Sequence, residues 1–297
     1  MHAQSLISFE ALTDASIHSL LTRSVHWSNV PHRLPASHQL QNACAAFLFF
    51  EPSSRTRISF ERAAQRLQMD VSHFPIAESS LKKGESLIDT FLNLETMGID
   101  VFVVRLTETP LLLEIGNRLS TPILCAGAGK EHHPTQALLD AATLMKHGYL
   151  KKNSRILYWG DTRNSRVAAS GIELFQRLGA SVACAGPEEF SVSNPQVPVF
   201  HTPDEALSWA DIVIALRLQK ERLASTDTRL QEEWILKEAH LKQHPNIQAW
   251  MHPGPVIWDE DIESSLKQHP KNLILEQARM GVATRMAAFE WSLGELP

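Results

Sequence analysis

The sequence predicts an α/β protein built from two doubly wound parallel-sheet domains joined by helices. The chain has 297 residues, and a domain takes about 150. From residue 43 onward, short apolar runs alternate with segments whose apolar residues recur at helical spacing, which is typical of βα units. Hydrophobic residues make up 43% and charged residues 21% of the chain, as in ordinary folded proteins. Disordered, collagen-like, coiled-coil and disulfide-stapled classes are therefore excluded.

Charge and cysteine content limit the partners and the compartment. The 28 basic and 33 acidic residues leave a net charge of −5, which offers no basic field for nucleic acid or a membrane surface. Cys44, Cys125 and Cys184 are far apart and lack a C-x-x-C spacing, so we expect a reducing compartment and no zinc site. The longest apolar run, residues 43–50, is too short to span a bilayer, and the first residues lack a signal-peptide pattern. We expect a soluble, cytoplasmic protein.

The first domain is predicted from residues 1–133, with a C-terminal helix at 276–297 returning to it. A buried strand covers residues 43–50, and the following helix begins within 53–56 because its apolar residues then form one stripe. The rest of this half is a helix through residues 87–94 and strands at residues 101–104 and 121–125.

The second domain is predicted from residues 134–275. A helix over residues 134–147 bridges the halves, with Pro134 in its first turn and Gly148 closing it. The remaining predicted elements of this domain are a strand at 156–159, a helix at 167–178, and strands at 181–185, 212–215 and 247–251. The long helix that follows, at 275–293, is the one that returns to the first domain.

Ligands of open parallel sheets bind at the carboxyl ends of the strands, and polar residues concentrate there in this sequence. Ser53, Ser54, Arg55, Thr56 and Arg57 crowd the start of a helix, where free N–H groups and arginine forks favour phosphate. The alternative is a capped helix whose arginines form surface ion pairs. No P-loop motif or dinucleotide fingerprint is present, so a nucleotide loop is excluded.

Three further segments of the first half can carry chemistry. Residues 79–86 form either a mobile basic loop able to close over an anion or a solvated turn. Arg105 follows the strand at 101–104 and so lies at the carboxyl edge of the sheet, where ligands bind. The alternative is an ordinary surface arginine. His133 precedes a helix-starting proline and can donate to a developing oxyanion. A metal pair with His132 is disfavoured, because adjacent residues point in different directions and no third ligand is apparent.

The second half carries its own cationic groups. Arg166 lies in a strand-to-helix turn, and Arg217 and Gln219 follow the strand at 212–215, on the same side if the chain is extended. Each could be a salt-bridged surface residue, but together they predict a second anion site. Residues 252–255 form a stiff turn that can present backbone carbonyls to the amide hydrogens of a ligand.

Taken together, these segments resemble the catalytic chains of aspartate carbamoyltransferases, in the same order and over nearly the whole length. The matching runs are F-F-E-P-S-x-R-T-R, S-x-x-x-K-G-E-[ST]-L-x-D-T, H-P-T-Q-A-L-L-D, G-D-x-x-x-S-R-V, L-R-x-Q-x-E-R and H-P-G-P. The resemblance implies a carbamoyl-phosphate domain, an aspartate domain, a terminal helix packed back on the first domain, and a homotrimer with shared active sites. It implies no metal or organic cofactor, and it allows a regulatory chain or a dihydroorotase as a further partner.

Residue by residue, the resemblance implies three sets of site residues. The catalytic set is Arg55, Thr56, Lys83, Arg105 and His133. Carbamoyl phosphate would be bound by Ser53, Ser54, Arg55, Thr56, Arg105, His133, Gln136, Pro253 and Gly254, with Ser79 and Lys83 from the neighbouring chain. Aspartate would be bound by Lys83, Arg166, Arg217 and Gln219. Thr56, Arg105 and His133 would polarise the carbonyl oxygen, and Gln136 with the 253–254 carbonyl region would hold the amino group.

No residue is arranged as an activated nucleophile, so the amine of aspartate is expected to attack the carbamoyl carbon directly, through a tetrahedral intermediate. Two departures from the family pattern are Leu106, where a histidine is usual, and Ile257-Trp258, where a basic pair is usual. Because Ile257-Trp258 replaces the basic pair, an arginine near this turn is lost, and its loss could weaken a domain-closing ion pair. The alternative function is therefore a catalytically degenerate chain that serves as a structural partner in a pyrimidine-pathway assembly.

Ornithine carbamoyltransferases have the same kind of first domain. Their His-Cys-Leu-Pro turn is absent from this sequence, because His252 is followed by Pro253 and no cysteine is nearby. Arg166 and Arg217 would repel the ammonium of ornithine and attract the second carboxylate of aspartate. The sequence therefore favours aspartate.

Overall fold

The computed structural model describes residues 4–31, 40–76, 84–192, 194–217 and 232–296. Three predicted site residues, Ser79, Lys83 and Gln219, lie outside these ranges. The chain divides into two compact units, Met1–Ala142 with Arg279–Pro297, and Thr143–Ala278. The division falls inside the helix that was predicted to bridge the halves, nine residues after the expected boundary at residue 133.

The first unit is built on a four-stranded, fully parallel sheet with the order β2-β1-β3-β4. Its strands are β1 Cys44–Phe49, β2 Asp70–His73, β3 Val101–Leu106 and β4 Ile123–Ala128. Its helices are α1 Asp14–Asn29, α2 Ser54–Arg66, α3 Leu87–Thr96, α4 Thr109–Arg118 and the first part of α5 Pro134–Lys146.

The second unit is built on a five-stranded parallel sheet with the order β7-β6-β5-β8-β9. Its strands are β5 Arg155–Trp159, β6 Ser181–Ala185, β7 Val199–Phe200, β8 Ile212–Ala215 and β9 Ala249–Met251. Its helices are α6 Arg166–Arg177, α7 Pro203–Trp209 and α8 Glu238–Gln243, and the long α9 Ile274–Ser292 begins here and ends in the first unit.

Burial explains why these segments form central strands. Residues 101–104 of β3 and all of β8 are inaccessible to solvent, as expected for parallel strands covered on both faces. In the first unit, Phe91 of α3 meets Phe102 of β3 edge to face, with ring centroids 5.0 Å apart. The prediction of two parallel-sheet α/β domains is confirmed.

The C-terminal helix packs back on the first domain, as predicted. The Glu290 carboxylate is buried and accepts hydrogen bonds from Arg23 Nε and Nη2, each at 2.7 Å, and from Trp27 Nε1 at 2.8 Å. On the same helix, the Phe289 ring packs edge-on against Phe60 of α2, with centroids 5.8 Å apart. α9 is therefore fixed to both α1 and α2.

Some strand limits differ from the prediction. The strand expected at 121–125 runs from Ile123 to Ala128, because its last residues pair with the end of β3 across a register shift. The strand expected at 247–251 is only Ala249–Met251. Within the described ranges, no helix is both long enough and apolar enough to cross a membrane.

Candidate active site

Three neighbouring strands bring the predicted first-domain residues to one edge of the sheet. β1 leads into the start of α2, β3 ends around Arg105, and β4 leads into the start of α5. The register pairs Phe49 with Arg105 and Leu106 with Ala128, so the three strand ends lie side by side. This is the carboxyl edge, where open parallel sheets bind ligands.

The start of α2 is suited to an anion. Ser53 is the N-cap residue, yet its side chain makes no capping hydrogen bond, and the first turn contains no acidic residue. The first N–H groups of an α-helix have no partner within the helix and lie at the positive end of its dipole. Ser54 is exposed and Thr56 is buried, so hydroxyl groups lie on both sides of this turn.

The two arginines of this turn differ in their surroundings. Arg57 Nε donates to Glu61 at 2.8 Å, which is an ordinary i,i+4 ion pair on an exposed helix face. Arg55 is exposed, and within the described ranges its side chain has no hydrogen bond or ion pair. The alternative interpretation, in which the arginines of this helix form surface ion pairs, therefore applies to Arg57. Arg55 is available to a ligand.

Arg105 is held in place at the end of β3. Its Nε lies 3.0 Å from Glu51 Oε2, and its Nη1 donates to the Ala126 carbonyl at 3.1 Å. Both side chains of the ion pair are mostly buried. Sequence reasoning missed Glu51, although it lies inside the F-F-E-P-S run. The contact fixes a guanidinium beside the start of α2.

The two adjacent histidines have different roles. The His133 carbonyl accepts from the amides of Gln136 and Ala137 and so begins α5, and the His133 side chain is 5% exposed. His132 instead exchanges two backbone hydrogen bonds with Ala128, at 2.8 and 3.0 Å. In the part of the chain that the structure describes, no group of three or more His, Cys, Asp or Glu side chains could hold a metal ion.

Gln136 has a partner that the sequence analysis did not identify. Its Nε2 donates to Asp140 Oδ1 at 2.9 Å, one turn later on α5. Gln136 is 8% exposed and Asp140 is fully buried. The i,i+4 spacing within the H-P-T-Q-A-L-L-D run is a signal that could have found this pair.

In the second unit, the predicted anion-binding residues also follow neighbouring strands. Arg166 is the first residue of α6 in the turn after β5, and Ser165 caps that helix by accepting from Ala168 N at 3.2 Å. Arg217 is exposed and follows β8, the strand beside β5. A Cβ on Gly160 would lie 2.5 Å from the Leu216 carbonyl oxygen, so glycine lets these two segments approach each other.

The turn at residues 252–255 follows β9, the next strand of the same sheet. His252 is buried, and its Nδ1 accepts from the Gly254 amide at 2.8 Å, so Nε2 carries the proton. That nitrogen lies 3.5 Å from Asp261 Oδ2, and the same oxygen accepts from Ile257 N at 2.8 Å. Gly254 has a φ of +77°, and the following peptide bond to Pro255 is cis. The imidazole thus shapes a turn that also contains Pro253.

Of the residues that depart from the family pattern, Leu106 and Trp258 pack against a core, whereas Ile257 is exposed. Leu106 is 5% exposed and belongs to the core of the first unit, while its carbonyl accepts from Gly129 N at 3.1 Å. Trp258 packs against the core of the second unit, and Lys267 Nζ lies 5.2 Å from its ring centroid. Both side chains therefore have structural roles where they stand.

Each half of the chain matches one domain model of a single family. The sequence model of the carbamoyl-P binding domain of aspartate/ornithine carbamoyltransferases matches residues 4–146, and that of the Asp/Orn binding domain matches residues 152–292. The aspartate carbamoyltransferase catalytic subunit of Thermus thermophilus is 39% identical over 292 residues, which cover 95% of each chain. That of Xanthobacter autotrophicus is 35% identical, covering 100% of this chain and 97% of the relative.

Solved structures are similar across both units. Aspartate transcarbamoylase from Trypanosoma cruzi in complex with carbamoyl phosphate has a TM-score of 0.87 at 28% identity, covering 98% of this chain and 95% of that one. The same enzyme with carbamoyl phosphate and aspartate gives 0.84 at 28% identity, with coverage of 98% and 96%. The chain therefore belongs to the aspartate/ornithine carbamoyltransferase family.

Proposed function

We propose that this chain transfers the carbamoyl group of carbamoyl phosphate to the amine of L-aspartate, giving N-carbamoyl-L-aspartate and phosphate, an early step of pyrimidine biosynthesis. One observation carries the proposal: two anion-binding groups lie at the carboxyl edge of the first sheet, at the ends of the adjacent strands β1 and β3. They are the start of α2, whose N-cap side chain makes no capping hydrogen bond, and Arg105, which is held by Glu51. The relatives named above are aspartate carbamoyltransferases, and a solved neighbour binds both substrates. These similarities favour an active enzyme over a degenerate structural partner.

Carbamoyl phosphate is the ligand of the first unit in this proposal. Its phosphate is bound by the hydroxyls and amides at the start of α2 and by the exposed Arg55. Its carbonyl oxygen accepts from Thr56, Arg105 and His133, which stabilise the negative charge that develops there. Its amino group is held by Gln136 and by backbone carbonyls at Pro253 and Gly254.

Aspartate is the ligand of the second unit. Arg166 and Arg217 follow adjacent strands of that sheet and supply two positive charges for two carboxylates. Gln219 and Lys83 complete this set in the proposal. Ornithine would bring an ammonium group toward these arginines, and like-charge repulsion selects against it.

The reaction that follows from these assignments is a direct displacement. The neutral amine nitrogen attacks the carbamoyl carbon, a C–N bond forms, and the carbonyl oxygen becomes an oxyanion in the tetrahedral intermediate. The C–O bond to phosphate then breaks, and the departing phosphate accepts the proton of the amine. Positioning and oxyanion stabilisation supply the rate enhancement, and the steps require no cofactor or metal.

An assembly and a compartment are part of this proposal. Ser79 and Lys83 are assigned to the site of a neighbouring copy, so the active form is an oligomer with shared sites, and the family resemblance makes it a homotrimer. The resemblance also allows a regulatory chain or a dihydroorotase as a further partner. Cys44, Cys125 and Cys184 are free thiols, which supports a cytoplasmic location.

A pair of arginine variants on α2 tests the proposal. Arg55→Ala should lower turnover at least ~100-fold, because a ligand phosphate loses a charge-assisted donor. Arg62→Ala is the matched control, since Arg62 lies on the same helix, is exposed and donates to Gln65 at 2.6 Å. Formation of carbamoyl aspartate is measured for both. Equal activity of the two variants would contradict the assignment of the phosphate site.

A further inference from the structure

Gln136 forms its hydrogen bond to Asp140 inside the first unit. Gln136 Nε2 lies 2.9 Å from Asp140 Oδ1, and the Asp140 side chain is fully buried. An ionised carboxylate can only accept hydrogen bonds, so it fixes which end of the Gln136 amide faces it. The nitrogen of the amide faces Asp140, and the oxygen Oε1 is left for another donor.

A buried arginine accompanies this carboxylate. Arg285 of α9 is 3% exposed, and its Nη1 donates to the Gly281 carbonyl at 2.9 Å. Burial lowers the pKa of Arg285 to about 9, while the charge of Asp140 opposes that lowering. Arg285 therefore stays protonated near pH 7, and its charge lies in the core of the first unit.

The surroundings of Arg285 fix its guanidinium. Its Cζ lies 4.8 Å from the ring centroid of Phe60 on α2, which is a cation–π arrangement. A Cβ at Gly281 would lie 2.7 Å from Arg285 Nη1, so glycine makes the space that the guanidinium occupies. α9 thus contacts α2, whose start is assigned to phosphate. It also lies beside α5, which carries Gln136, because a Cβ at Gly281 would be 3.6 Å from Leu139 Cδ2.

We propose that Asp140 is a positioning residue that holds the Gln136 amide with its nitrogen inward, so that Gln136 Oε1 accepts a hydrogen bond from the amino group of carbamoyl phosphate. This inference rests on the proposed function and adds to it a basis for discriminating between acyl phosphates. An acyl phosphate with a methyl group in place of the amino group cannot make this hydrogen bond. Asp140 therefore contributes to selecting a carbamoyl over an acetyl group.

The test replaces Asp140 by an apolar side chain of similar size, Asp140→Leu, together with Arg285→Met, because removing the carboxylate alone would leave the buried charge of Arg285 uncompensated. The KM for carbamoyl phosphate, the inhibition constant of acetyl phosphate and the thermal unfolding midpoint are measured. The matched control is Arg23→Met with Glu290→Gln, which removes an ion pair of α9. We expect the KM to rise about tenfold in the first variant and less than twofold in the control, with the acetyl phosphate constant unchanged.

A mutational cycle with Gln136→Leu separates positioning from a general structural effect. If Asp140 acts through Gln136, adding the Asp140→Leu and Arg285→Met substitutions to Gln136→Leu should raise the KM no further. Multiplicative effects, equal weakening of both acyl phosphates, or an unchanged KM in the folded variant would each overturn the positioning role. An inactive wild-type chain would instead overturn the proposed function on which the inference rests.

Discussion

Replacing His133 by alanine tests the transition-state role given to its side chain. The backbone contacts that start α5 involve the His133 carbonyl, at 2.9 Å from Gln136 N and 3.2 Å from Ala137 N, and they do not need the imidazole. The side chain is 5% exposed, so its truncation also leaves a small cavity, with a destabilisation of about 1–3 kcal/mol. Loss of one oxyanion donor raises the barrier by about 3–4 kcal/mol, which predicts a 10²- to 10³-fold lower kcat, on the order found for such donors.

The assay compares kcat for carbamoyl aspartate formation and the thermal unfolding midpoint for the wild type and for His133→Ala. His132→Ala is the control, since its neighbouring imidazole has no assigned part in the reaction and its contacts to Ala128 are made by the backbone. The control should keep kcat within about twofold, because the half-buried His132 imidazole is assigned no contact with either substrate. A kcat for His133→Ala within about fivefold of the wild type, at saturating substrates and in folded protein, would refute the oxyanion role.

Three further predictions concern assembly, cysteine chemistry and pH. Trimers mixed from Arg55→Ala and Lys83→Ala chains should regain activity, because the two residues are assigned to different chains at one site; verified mixed trimers without activity would exclude a shared site. Burial raises the pKa of the Cys184 thiol to about 12, whereas Cys44 is partly exposed. Iodoacetamide at pH 8 should therefore modify Cys44 well before Cys184, and mass spectrometry that shows the reverse order would contradict this. Burial, followed by the charges of nearby cationic groups, lowers the pKa of His240 in the folded chain. His240 therefore binds a proton more readily in the unfolded chain than in the folded one, and its contribution to stability should fall as the pH drops below about 6.5. Denaturant midpoints of wild type and His240→Gln between pH 7 and 5 measure it, and an equal slope for both proteins would show that His240 does not contribute.

Strongly patterned segments made the fold predictable from sequence. Apolar runs such as residues 101–104 and 212–215 are buried strands, and helical spacing located α2, α3, α5, α6 and α9. The elements that were not predicted lack such patterns. β2 is polar and mostly exposed, and β7 has only two residues, so their pairing with neighbouring strands defines them. Helices α1, α4, α7 and α8 were not predicted either, although α4 and α7 each begin with a proline signal.

The position of the candidate site residues in the fold was predictable only where they lie in turns after strands. The sequence placed Arg55, Arg105 and His133 at strand ends, and the strand order brings those ends together. Partners such as Glu51 and Arg285 depend on register and on helix packing, which residue type alone does not reveal. Glu51 reaches Arg105 because β1 and β3 pair in register, and Arg285 reaches the α5 region because α9 returns to the first unit.

Carbamoylation of aspartate by this chain is tested most directly by incubating the purified chain with carbamoyl phosphate and either L-aspartate or L-ornithine. The carbamoylated product is quantified by mass spectrometry. We expect carbamoyl aspartate with saturable kinetics and no citrulline, despite Leu106, Ile257 and Trp258. Citrulline as the main product would contradict the assignment of Arg166 and Arg217 to a second carboxylate, and a folded trimer without either product would identify a degenerate chain.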